Sequence, residues 1–464
     1  MPEYLAPGVY VEETTLKKEV AQVETAIPAF IGFTEKKRNA FLRIHSFEEY
    51  RKVFGRPFFE LPDFETDGES VSVAKNETIP SSPSYKMYYV VKHFFANGGT
   101  SCFISSAGLY KDKLTYGRLF KALERLERES FADLIVLADV HSLESESDQF
   151  KLKKAALTVA SRSANCLYIC DINHRATDID DARKKIRDFR SGIGNENLKY
   201  GAAYFPNLTT TLIHEFDEQD VRVNYQRGKL VLRHSERTIK RFPEKEDESL
   251  YHREKGKFRK TYHKILKMIK TVNLELPPSG AVAGVFKGTD SATGVWKAPA
   301  NVSLHQVIKP AVNITDALQQ EMNIHQSGKS INAIRMFDGK NTLIWGARTL
   351  AGNDNEWRYI SVRRLAGMIR QSIEQAAGWT AFEMNDATLW SGMKSQIMGF
   401  LEKLWREGAF QGSKPQEAFF VKAGLGLTMT EADVSEGRVL VEIGLAALRP
   451  SEFIILQIEL KAKT

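Results

Sequence analysis

Residues 437–461, GRVLVEIGLAALRPSEFIILQIELK, contain two apolar, β-prone runs separated by Pro450. In the second run Ile454, Leu456, Ile458 and Leu460 share one face, and Phe453, Ile455, Gln457 and Glu459 share the other. That period of two marks a strand buried on one side. Two helical patterns precede it. VRRLAGMIRQSIEQAAG (362–378) aligns Val362, Leu365, Ile369, Ile373 and Ala376. NDATLWSGMKSQIMGFLEKLWREG (385–408) aligns Leu389, Met393, Ile397, Phe400, Leu401 and Leu404, with Asn385 or Asp386 as N-cap and Gly408 as stop. These segments predict an α+β domain over residues 277–450, followed by an arm strand at 451–464.

Upstream the rhythm changes. Residues 25–110 alternate a buried strand (AIPAFIGFT), a short helix with Ser46 and Glu49 as a capping box (IHSFEEYRKVFG), a helix stopping at Asn97-Gly98-Gly99, and a strand (SCFISSAG). Leu61–Pro83 reads as a polar surface loop. Residues 111–210 continue with helices at RLFKALERLERE, KLKKAALTVASRSAN and DDARKKIRDFRSG between the strands DLIVLADV, CLYICDI and KYGAAYFPNL. Continuous apolar strands between helices imply an α/β sheet covered on both faces. Residues 211–276 form a charged insertion, so 111–276 is read as an outer α/β domain. PPSGAVAGVFKGTD (277–290) reads as small residues and turns at a domain boundary. Residues 1–24 read as an arm with a short β-prone run and no local partner, so a sheet edge must pair with it.

The chain has 464 residues, 42% hydrophobic and 27% charged. No apolar run approaches the length of a spanning helix. The start, MPEYLAPGVYVEE, lacks the basic and apolar regions of a secretory leader. Three cysteines, Cys102, Cys166 and Cys170, fit a reducing compartment and core thiols. The net charge is +7, and much of the excess lies between Arg222 and Lys270. Tyr225, Phe242, Tyr251, Phe258 and Tyr262 there form no recognisable stacking platform, so the stretch reads as a solvated face rather than a nucleic-acid surface.

No catalytic or cofactor constellation emerges. QSGKS (326–330) ends like a phosphate-binding loop, but Asn323 stands at the first glycine position and the preceding run is helical. GIG (192–194) and GLG (424–426) lack the third glycine of a dinucleotide fingerprint. Histidines are scattered and form no ligand pair. The expectation is a non-enzymatic structural protein without cofactor or metal. A nucleotide-binding or nucleic-acid-binding protein, resting on QSGKS and on 222–270, is the alternative.

An ordered series of segments resembles the contractile tail sheath family of phages, tailocins and extracellular contractile injection systems. The series runs APGVYVEE, AIPAFIGFT, IHSFEEYRKVFG, HFFANGGTSCFI, YGAAYFPNL, PPSGAVAGVFKGTDSATGVWKAPAN, INAIRMFDGKNTLIWGARTL, EWRYISVRRL, GWTAFEMNDATLW, FLEKLWREGAFQG, QEAFFVK and GRVLVEIGLAALRPSEFIILQIE. It is dense from 277 to 461 and omits 211–276. KSIN stands where the family usually has GIN, which accounts for the false QSGKS signal. The resemblance implies a sheath of six-subunit rings around an inner tube, contracting without nucleotide hydrolysis to drive the tube through a target membrane. It implies partners in further copies, the inner tube, the baseplate, terminator or cap proteins and a second sheath isoform, with neither nucleic acid nor membrane insertion. It implies assembly in the bacterial cytoplasm and residence in a phage tail or released particle. The arms joining neighbouring subunits would use Val9, Tyr10, Val11 and Glu12 at one end and Phe453, Ile454, Leu456, Ile458 and Leu460 at the other. Arg363, Arg364, Arg370, Lys394, Lys403 and Arg406 are the candidates for inner-tube contact.

Overall fold

The computed structural model describes residues 19–463, apart from 38, 68, 129–131, 164, 173–177, 226–227, 232–247, 250–258 and 338. The chain divides into two compact units, Glu24–Gly367 and a second made of residues 19–23 with 368–463.

In the first unit, strands β1 (Pro28–Thr34), β2 (Phe41–Ile44), β3 (Cys102–Leu109), β4 (Leu134–Leu137), β5 (Leu167–Asp171), β6 (Gly201–Phe205), β7 (Val302–Ser303), β8 (Ile331–Met336) and β9 (Thr342–Trp345) form a sheet. Among the described residues its order is β7-β9-β8-β6-β5-β4-β1-β3-β2. The inner strands from β8 to β3 are parallel, and β2, β9 and β7 add antiparallel edges. The expected α/β class is therefore present, and the apolar runs of β1, β4, β5 and β6 are buried throughout.

The helices of this unit are α1 (Phe47–Phe54), α2 (Met87–Ala96), α3 (Tyr116–Arg128), α4 (Glu146–Arg162), α5 (Ile179–Gly192), α6 (Arg259–Lys270), α7 (Ser279–Ala292) and α8 (Asp316–Asn323); α9 (Ile360–Ala376) runs across the division between units. One face of the sheet is covered by Leu119, Leu123, Leu152, Leu157, Ile186, Phe189 and Leu318 of α3, α4, α5 and α8. The other is covered by Tyr50, Phe54, Tyr88, Phe94, Val282 and Phe286 of α1, α2 and α7. Ser46 caps α1 by accepting from Glu49 N–H, and Glu49 returns a carboxylate oxygen to His45 N–H.

Three expectations change. PPSGAVAGVFKGTD is not a turn-rich boundary: Ser279–Ala292 is a helix buried along Ser279–Phe286. Its small residues serve a close helix–helix crossing. A Cβ on Gly280 would lie 2.4 Å from the Val90 carbonyl oxygen, and one on Gly284 2.5 Å from that of Phe94. Leu61–Pro83 is not only loop. Phe64–Thr66 and Val71–Val73 are strands, because Phe64–Thr66 pairs in parallel with Arg222–Tyr225, and Tyr262, Ile265 and Ile269 of α6 pack with Phe64, Val221 and Val223. The chain divides near residue 367 rather than 277, since β8 pairs with β6 and carries the large sheet past the expected boundary.

Asp171, at the end of β5, holds the start of α7. Its carboxylate accepts from Ser279 N–H at 2.9 Å and from Ser279 Oγ at 2.6 Å. Burial pushes Asp171 up to about 6, against the two bonds from Ser279. All three cysteines are buried and free.

Gly284→Leu should lower stability by about 2 kcal/mol or more through overpacking. Gly288→Ala, with open space at its Cβ, should be more stable by about 0.5–1 kcal/mol because alanine favours the helix. Denaturant midpoints decide both. A carboxyl raised in the folded state favours folding at low pH, and its contribution is lost as pH rises through about 6. The stability of the wild type relative to Asp171→Asn should therefore be greater at pH 5 than at pH 7, measured by denaturation at each.

Candidate assembly surfaces

In the first unit, the chain enters at Glu24–Ile27 and is fixed there by charge. Glu24 bonds Arg43 Nη2 at 2.8 Å and Lys287 Nζ at 3.0 Å. Ala26 takes a left-handed φ of 56°, which turns two successive N–H groups toward one carboxylate. Asp133 accepts from Ala26 at 2.7 Å and Ile27 at 2.5 Å. Arg364 of α9 closes the cluster. It grips Asp290 of α7 through two bonds of 2.9 and 2.6 Å, lies 3.5 Å from Asp133, and sits over the Phe286 ring at 5.0 Å. Burial pushes the Asp133 carboxyl above its ordinary range, while Arg364 and the two N–H groups draw it down. Burial works against the Arg364 charge, but Asp290 and Asp133 outweigh it and hold the guanidinium above its ordinary pKa.

The switch point of this sheet, where the chain places β3 and β4 on either side of β1, is where open α/β sheets bind ligands. Here the Asp139 carboxylate accepts from Phe33 N–H at 2.7 Å and from the start of α2, at Lys86 N–H 2.6 Å and Met87 N–H 3.3 Å. Those donors are the ones an anion would use. In QSGKS, Lys329 Nζ donates to the Arg190 carbonyl at 2.6 Å, and the segment follows α8. Among the described residues, no group of three or more His, Cys, Asp or Glu could hold a metal ion, and no helix is long and apolar enough to cross a membrane.

In the second unit, β10 (Phe419–Lys422), β11 (Arg438–Arg449) and β12 (Glu452–Lys461) form an antiparallel sheet in that order. Val439, Val441, Ile443 and Leu445 lie opposite Leu460, Ile458, Leu456 and Ile454, and all eight are buried. The expected alternation is thus present. Phe453, Ile454, Leu456, Ile458 and Leu460 all lie on β12, which pairs with β11 of the same chain. The strand joins its own sheet, and among the described residues no strand pairs with its outer edge, although Thr380 Oγ1 donates to the Lys461 carbonyl at the C-terminal end of that edge at 2.8 Å. Alternating exposed Glu452, Gln457, Glu459 and Lys461, with Ile455 among them, flank that edge. Val9, Tyr10, Val11 and Glu12 lie outside the described residues. Before the division, Val23 donates its N–H to Ser372 Oγ of α9 at 3.1 Å.

The cations named for tube contact do not form one surface. Arg363 and Arg364 are buried, contrary to the expected polar face. Arg364 is held by the carboxylates above, and Arg363 by the rings of Tyr200 and Trp357 at 4.5 and 4.9 Å. Arg370 pairs with Glu374 on the same helix. On α10 (Ala387–Arg406), capped by Asp386 through Thr388 and Leu389 N–H, Lys394, Lys403 and Arg406 are exposed. Lys403 and Arg406 are three residues apart and neighbour each other, whereas Lys394 and Lys403 differ by half a turn. Sequence spacing could not reveal the burial of Arg364, because Asp290 and Asp133 are remote in the chain.

Residues 352–461 match the family described as the phage tail sheath C-terminal domain. Through this domain the chain is similar to contractile tail sheath proteins. The sheath likeness extends further. The tail sheath protein of Vibrio phage KVP40 is 30% identical over 135 residues, which cover 28% of this chain and 20% of that protein. The match thus spans about a fifth of the length of that curated relative. The sheath of the extracellular contractile injection system PVC, in its contracted state, superposes with a TM-score of 0.62 at 25% identity, covering 99% of this chain and 98% of that one. The helical sheath of the anti-feeding prophage AFP, also contracted, gives 0.62 at 27% identity over 98% and 99%.

Arg364→Met would strand two buried carboxylates. It should cost on the order of 3–5 kcal/mol, read as a fall in denaturation midpoint, whereas exposed Arg406→Met should stay within about 0.5 kcal/mol.

Proposed function

We propose that the chain is a structural subunit of a contractile sheath. The observation that carries this reading is the likeness to contracted injection-system sheaths along nearly the full length of both chains, together with the C-terminal sheath domain. Subunits polymerise as stacked six-membered rings around an inner tube, attached to a baseplate and closed by terminator or cap proteins, and a second sheath isoform shares the particle. Contraction repacks bistable subunit contacts and consumes no nucleotide. The particle is assembled in the bacterial cytoplasm and acts as a phage tail or a released injection system. The chain acts without catalysis.

The outer edge of β12, which has no partner strand among the described residues, supports the arm reading. An unpaired edge is a template for an added strand, and Val9–Glu12 of a neighbouring copy is the β-prone segment proposed to occupy it. Main-chain pairing would then hold copies together while whole subunits move. Lys403 and Arg406, with exposed Lys394 and half-buried Arg370 at other azimuths, are the cations left for the inner tube.

Negative-stain microscopy of the purified chain with its tube partner should show striated tubes. Deleting residues 1–12 should abolish them while a folded monomer with unchanged melting remains. Full-length tubes from the deletion would refute the arm.

A further inference from the structure

A second surface lies in the first unit, where the chain runs from β9 into α9. Residues 347–360 fold back on themselves. Thr349 N–H donates to the Arg358 carbonyl at 2.9 Å, Thr349 Oγ1 to the Trp357 carbonyl at 2.7 Å, and Ile360 N–H to the Ala347 carbonyl at 3.0 Å. Asn332 of β8 pins the clasp, accepting from Arg348 N–H and donating to its carbonyl, both at 2.8 Å. The backbone is thereby fixed before any partner arrives.

Cations and rings alternate on this clasp. Arg363 lies against Tyr200 and Trp357. Lys199 lies over Trp357 at 5.2 Å and Tyr200 at 5.6 Å. Arg348 and Arg358 lie over Tyr359 at 5.7 and 5.8 Å. Lys199, Arg348, Trp357, Arg358 and Tyr359 are half-buried. Among the described residues, no carboxylate pairs with Lys199, Arg348 or Arg358. Arg348 donates to the Gly352 carbonyl and Arg358 Nη2 to Asn355 Oδ1. The nearby Asp354 carboxylate is occupied by Glu356 and Trp357 N–H, and Glu356 is exposed. Arg358 Nε is buried without a partner.

Half-buried cations that no carboxylate of the described residues neutralises leave local positive charge that favours an acidic partner. Tryptophan, tyrosine and arginine are also the residues that dominate binding energy at protein interfaces. We propose that this clasp is a docking surface for a carboxylate-rich protein segment, with Arg348, Arg358 and Lys199 receiving the acidic groups. Arginine forks match carboxylates in pairs. Nucleic acid fits less well, because the Trp357, Tyr200 and Tyr359 rings already carry the chain's own cations, whereas single-stranded binding uses rings for base stacking. The proposal is independent of the sheath reading.

The test uses the full chain and a fluorescent ten-residue oligoglutamate, followed by anisotropy at low salt. Arg348→Gln with Arg358→Gln should weaken binding about tenfold or more. The control pair Lys403→Gln and Arg406→Gln should change it less than about twofold. Tryptophan emission should shift on binding, and Trp357→Phe should remove the shift while keeping the peptide bound. If the double arginine variant melts early, Lys199→Gln alone carries the comparison, with a smaller loss expected. Equal loss in both pairs, no loss in the clasp variants, tighter binding of a short DNA duplex than of the peptide, or self-association abolished by the clasp variants would each overturn it.

Discussion

A guanidinium withdrawn from water must be met by negative charge, and Arg364 is met by Asp290 and Asp133. The rest of the first unit is organised around that requirement. Asp290 rides on α7, Asp133 opens β4, and Asp133 also collects the N–H groups of Ala26 and Ile27. One buried ion cluster therefore fixes the entering chain, an inner strand, a core helix and the start of α9. Such clusters contribute little net stability when intact but are expensive to break, so their value is in specifying one arrangement.

The same device recurs. Asp139 gathers the N–H groups of Phe33 and of the start of α2, and Asp171 holds the start of α7. In each case a carboxylate at the end or start of a sheet strand satisfies backbone donors that would otherwise be buried unbonded. At the switch point this has a functional side. The crevice that α/β proteins commonly use for ligands is filled by the chain's own side chain.

The second unit shows how one strand can serve two ends. The buried face of β12 commits it to β11 through four apolar cross-strand pairs, while among the described residues its outer edge has no partner strand, with Thr380 bonding the Lys461 carbonyl at one end. Charges on an edge limit indiscriminate pairing without forbidding a matched strand.

Much of this was legible in the sequence. Alternation along 452–461, the stripes of α9 and α10, the Ser46 and Asp386 caps and the apolar inner strands are local patterns, and each element appeared where its period placed it. The missed features depend on remote partners. PPSGAVAGVFKGTD looked like turns because glycine usually signals them, yet Gly280 and Gly284 are small to admit the carbonyls of Val90 and Phe94. Phe64–Thr66 looked like loop because its pairing strand lies beyond residue 220. Arg363 and Arg364 looked like a solvated face, since a charged residue reads as exposed until its counter-charges are known. The sequence alone determined most of the elements, their buried faces and the resemblance to sheath proteins, because periodicity and local chemistry are written along the chain. Only the tertiary structure decided which charges are interior and which strand edge lacks a partner strand, because burial and pairing depend on residues remote in the chain, as Asp290 and Asp133 are from Arg364.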